Sequence, residues 1–127
     1  IVLARRSLKI HQDKLDIAET DWTILGDIYI AISENYLTLL NCLDTKNKDL
    51  AEEVIETQDK IIRTYNLFQG NLYCQLPNDS ASTAEQPPED KQWTDNLSEG
   101  QKAILELGNW FYKIGQHMVG IAKAYQY

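Results

Sequence analysis

The sequence predicts an all-α protein, an antiparallel up-down-up bundle of three long helices with coiled-coil-like packing. Three observations lead there. Apolar or small residues recur in steps of three and four over long stretches, most regularly at Leu97, Gly100, Ile104, Leu107, Phe111, Ile114, Met118, Ile121 and Tyr125. That is the period of a helix buried along one stripe. The residues between are mostly polar, so each helix has one wet face and needs partners for the other. Finally, the chain holds only six Gly and three Pro, and turn formers gather at two places, which divide it into three rods.

The first helix is expected over about 3–43. Its stripe reads Leu8, His11, Leu15, Ala18, Trp22, Leu25, Tyr29, Ile32, Tyr36, Leu39 and Leu43, and an unbroken rod of this length would measure about 60 Å. Gly26 is its weak interior point, costing about 1 kcal/mol relative to Ala, or a place for a neighbouring backbone to approach. Asp44-Thr45-Lys46-Asn47-Lys48 is polar and rich in turn and cap formers, and ends it.

The second helix is expected over 48–73. Asn47 is its N-cap, and Asp49, Glu52 and Glu53 place negative charge at the positive end of the helix dipole. Its buried side reads Leu50, Val54, Gln58, Ile61, Tyr65, Phe68 and Leu72. A mobile loop follows over about 75–92, where Pro77, Asn78, Asp79, Ser80, Ser82, Pro87 and Pro88 sustain neither helix nor strand. Trp93 either packs back on the bundle or pins the entry of the third helix, expected over 95–126 with Asp95 or Asn96 as its cap. Residues 1–127 thus read as one domain with one core.

The first helix is longer than its neighbours, so its early stripe would overhang them. Leu8, His11, Leu15 and Trp22 are therefore the expected interaction face, meeting a second copy, a protein partner or flanking sequence. The chain begins without Met and reads as a fragment or processed product.

Charge and composition exclude several classes. The net charge is −7, and the one basic cluster, Arg5, Arg6, Lys9 and Lys14, is modest, which argues against nucleic acid and anionic lipid. No run of about 18 apolar residues is present to span a membrane. Cys42 and Cys74 close the first and second helices. In an antiparallel hairpin they stand on the order of 40 Å apart at 1.5 Å per residue, too far for a disulfide, so both read as thiols of a reducing compartment. Two matches to the glycosylation acceptor pattern, Asn78-Asp79-Ser80 and Asn96-Leu97-Ser98, read as chance without a secretory signal.

No phosphate-binding glycine loop, G-x-S-x-G, H-E-x-x-H or C-x-x-C is present. His11 and His117, the only histidines, have no carboxylate or thiolate three or four residues away. The acidic run Glu52, Glu53, Glu56 and Asp59 reads as a solvated face. No catalytic residue, cofactor or metal ligand is expected.

Three segments stand out together: Leu25-Gly26-Asp27-Ile28 with Leu37-Thr38-Leu39-Leu40; Asp49-Leu50-Ala51-Glu52-Glu53-Val54-Ile55-Glu56, with Asp59 and Ile61; and Ile114-Gly115-Gln116-His117-Met118-Val119-Gly120-Ile121-Ala122. In that order they resemble the first helix, the second helix and the third-helix signature of the PhoU-like family of phosphate-transport regulators. The resemblance implies a three-helix unit in a cytoplasmic regulatory or accessory protein connected with phosphate transport. It also implies a departure. The positions matching the family's metal-binding acidic pairs hold Gln58 and Ile62 on the second helix and Tyr112 and Gln116 on the third. None is a carboxylate, so the fold would persist without the metal site. The alternative reading is a dimeric coiled-coil module of the membrane-scaffolding (BAR-like) type, which the long heptads fit and the acidic surface does not.

Overall fold

Ala18 has an extended backbone (φ −60°, ψ 136°), and Glu19 begins the first helix. In the computed structural model the described residues are 17–76 and 91–126. Within them α1 spans Glu19–Thr45, α2 Lys48–Cys74 and α3 Glu99–Gln126, with a 3-10 turn at Lys91–Asn96 before α3. All three helices pack against one another with no strand among the described residues, giving the all-α three-helix bundle read from the sequence. No described helix is long and apolar enough to cross a membrane.

The start of α1 differs from the expectation of an uninterrupted rod over 3–43. Glu19 and Asp21 occupy the first turn, where the helix dipole favours acidic side chains. Ile17 is buried in the core just before the helix starts. Leu8, His11 and Leu15, three of the four expected interaction residues, lie outside the described residues, as does most of the expected mobile loop.

The helix ends follow local chemistry. Lys46 takes the left-handed conformation (φ 57°) at the end of α1, and the N–H of Asn47 reaches back to the carbonyl of Cys42. Asn47 caps α2 as expected, its side-chain oxygen accepting from the N–H of Asp49 at 2.9 Å. At α3 the cap is neither Asp95 nor Asn96. Ser98 Oγ accepts from the N–H of Gln101 at 3.1 Å, and Gln101 Oε1 accepts from the N–H of Ser98 at 2.9 Å. This reciprocal pair is the capping box that Ser98-x-x-Gln101 encodes, and it outcompetes the lone candidates upstream. Trp93 packs back on the bundle, its ring edge-on to Tyr73 at 5.4 Å.

The heptad register of α1 and α3 is turned from the expected one. On α1 the buried row is Trp22, Leu25, Ile28, Ile32, Asn35, Leu39 and Cys42. Tyr29, Tyr36 and Leu43, expected inside, are exposed. On α3 the buried row is Gly100, Ile104, Gly108, Gly115, Met118, Val119 and Ala122, while the expected Ile114 and Ile121 are exposed and Leu107 is half-buried. The physical reason is the row of small residues at 108, 115 and 122. It lets α3 approach α2 so closely that a Cβ on Gly108 would stand 2.8 Å from Cε1 of Phe68. A Cβ on Gly115 would overlap the Gln58 amide. Backbone-to-side-chain approach of this kind gains dispersion contacts that a bulkier row would hold apart.

Candidate functional site

Both flanking helices therefore carry two apolar rows. One is consumed by the three-helix core. The other borders an open groove between α1 and α3, lined by Tyr29, Ile32, Ser33, Tyr36, Leu37, Phe111 and Ile114, with a volume of about 380 Å³. Tyr29 and Phe111 close one end, their rings 5.7 Å apart and tilted at 47°. Beyond them the rows continue with Leu40 and Leu43 on α1 and Ile121 on α3. Apart from the two tyrosine hydroxyls, Ser33 is the only polar side chain among the lining residues. Exposure is substantial: Leu37 is 63 % exposed, Tyr36 50 %, Ile121 47 % and Ile114 45 %. A contiguous apolar wall of this kind is the surface expected to receive another helix.

Trp22, the remaining residue of the expected interaction face, is not part of this surface. It is buried in the core because it falls in register with Leu25, Ile28 and Ile32. The open row of α1 is instead Tyr29, Tyr36 and Leu43, residues whose spacing in the sequence points to the interior.

A second constellation sits at the end of the bundle where α1 and α3 begin and α2 stops. Asp21 is fully buried, and its Oδ2 accepts from Gln75 Nε2 at 2.7 Å. Gln75 Oε1 accepts from Gln101 Nε2 at 3.1 Å, and Gln101 belongs to the Ser98 capping box. This chain of amides ties all three helix ends together. Burial pushes the Asp21 carboxyl above its ordinary range, and the Gln75 hydrogen bond opposes this only in part. Its Oδ1 has no hydrogen-bond partner among the described residues.

A polar layer also crosses the middle of the core. Asn35 Nδ2 donates to the carbonyl of Val54 at 3.0 Å, linking α1 to α2. Gln58 is buried against Gly115 with neither amide atom bonded among the described residues. A buried polar residue in a heptad core fixes register at some cost in stability.

The positions matching the family's acidic pairs are occupied in other ways. The ring of Tyr112 stacks on Tyr65 at 5.0 Å, and Gln116 Nε2 donates to the Tyr112 hydroxyl at 2.9 Å. Burial, and then the neighbouring Tyr112, raise the Tyr65 hydroxyl above its ordinary value. Ile62 is half-buried on α2. No group of three or more His, Cys, Asp or Glu side chains comes together among the described residues. Cys42 is buried and Cys74 exposed, and neither is in a disulfide.

Comparison with family models, with curated proteins and with solved structures finds no match for this chain.

Proposed function

We propose that this chain is a non-enzymatic regulatory or accessory module that acts by protein–protein contact, with the groove between α1 and α3 as its contact surface. The observation that carries this reading is the second apolar row on each of those helices, which stands open over Tyr36, Leu37, Leu40, Ile114 and Ile121. Keeping such a row in water costs on the order of 25 cal/mol for each Å² of apolar surface, a penalty relieved when a partner covers it.

The resemblance to PhoU-like regulators suggests the setting: a cytoplasmic module connected with phosphate transport. Tyr112, Gln116, Gln58 and Ile62 in place of paired carboxylates favour work by contact over work through bound metal. The test replaces the chain in its own cell by the variant Leu37→Glu/Leu40→Glu, which alters only exposed groove residues. The expected result is a changed phosphate uptake or phosphate-starvation response at an unchanged level of folded protein. Uptake and response both identical to those of the parent would remove the phosphate-transport setting.

A further inference from the structure

The geometry points to a second copy of this chain as the occupant of the groove, the two molecules joining face to face as a homodimer; this rests on the reading of the groove as a contact surface. Tyr29, Tyr36, Leu37, Leu40, Leu43, Ile114 and Ile121 are between 37 % and 63 % exposed. Together they leave roughly 600 Å² of surface uncovered, close to the ~800 Å² per partner of a standard stable interface and at the top of the range for a patch on a monomer.

The chain carries 19 acidic against 12 basic residues, so two copies repel through most of their surfaces. The groove escapes this repulsion, because its lining contains no carboxylate, lysine or arginine. An uncharged apolar wall can meet its own image without burying an unpaired charge, as a two-fold interface requires.

The open rows run from Tyr29 to Leu43 on α1 and to Ile121 on α3, and a second three-helix unit of the same length covers them from end to end.

The experiment is light scattering coupled to size exclusion on the full chain over a wide range of concentration. It is run beside Leu40→Glu, Ile114→Lys and the control Arg63→Glu, whose site is exposed on α2, with circular dichroism on each. The expected mass of the parent and of Arg63→Glu is twice 14.6 kDa. The two groove variants should run as monomers, at least tenfold weaker in association, with unchanged helical spectra. A parent that stays at 14.6 kDa at every concentration, or groove variants that still pair, would overturn the homodimer. A hydrophobic dye then separates the two readings. A monomer that binds dye, and loses it in Leu40→Glu, keeps the open contact surface and rejects only the second copy. A monomer that binds none has its groove covered from within, and both readings fall.

Discussion

Gly108 of α3 faces the ring of Phe68 of α2 so closely that a methyl group in its place would meet two ring carbons, at 2.8 and 3.3 Å. Phe68 is fully buried, so its ring gives way only by displacing the side chains packed around it. Gly108→Ala therefore destabilises the bundle. The gain in helix propensity, about 1 kcal/mol, is outweighed by an overpacking cost of about 1–3 kcal/mol. Urea denaturation should show a lower midpoint, and Phe68→Leu should cost less when combined with Gly108→Ala than in the parent.

Gly26 and Gly120 give the opposite sign. A Cβ at either position meets nothing within 4 Å, so each glycine weakens its helix without serving a contact. Gly26→Ala and Gly120→Ala should each stabilise the protein by roughly 0.5–1 kcal/mol. Thermal melts that move downward for either would mean that something packs there.

Gln58 is buried with neither amide atom bonded among the described residues. Gln58→Met keeps its length and flexibility and removes the unsatisfied amide. The expected gain is about 1 kcal/mol, the lower part of the range for a buried polar group without a partner. If the amide also fixes the register, the variant will gain stability and lose the sharpness of its tertiary NMR spectrum.

Asp21 makes the folded state sensitive to pH in an unusual direction for a carboxylate. Burial holds its folded pKa above the ordinary value of 3.8. Its contribution to stability is thus complete below 3.8 and is lost as pH rises through the folded value. Asp21→Asn, which keeps an oxygen to accept from Gln75, should be more stable than the parent at neutral pH. The difference should shrink as the pH falls through the raised folded value and be gone below 3.8. Parallel denaturation curves at neutral and acid pH test this, and an Asn variant weaker than the parent at neutral pH would refute it.

Lys46 holds a left-handed backbone at the end of α1, the only non-glycine residue to do so among those described. Lys46→Gly should stabilise the protein by about 1 kcal/mol, the left-handed penalty for a residue with a Cβ. Chemical denaturation gives the value directly.

The number of helices and the cap at Asn47 are legible in the sequence because each depends on chemistry local to it, whereas for Trp93 the sequence leaves two placements open and the contact with Tyr73 decides between them. The rotation of α1 and α3 about their own axes is not. Around Ile32 both Ile28 and Tyr29, and around Leu39 both Asn35 and Tyr36, complete a three-four pattern. Choosing between them requires knowing where α2 lies. The pattern alone favours the more apolar member at the second pair, whereas packing selects Asn35 for its bond to the Val54 carbonyl and Gly108 and Gly115 for their slimness. The helix start at Glu19 is hidden for a related reason. The stripe position of Ala18 is compatible with helix, and only the acidic turn at Glu19 and Asp21 hints at a start. The capping box at Ser98 and Gln101 does have a local signature, and it competes there with the equally cap-like Asp95 and Asn96. The chain Asp21–Gln75–Gln101 joins residues far apart in sequence and has no such signature.

The slender edge at 108 and 115 also acts as a dial on α3. Adjacent residues on a helix stand about 100° apart. Exchanging Leu107 with Gly108, and Ile114 with Gly115, would turn two bulky side chains toward α2 and take Ile114 out of the groove wall, leaving Phe111 and Ile121. How tightly the third rod nestles against the second, and how much oil it shows outside, thus depends on the order of two neighbouring letters, at two places.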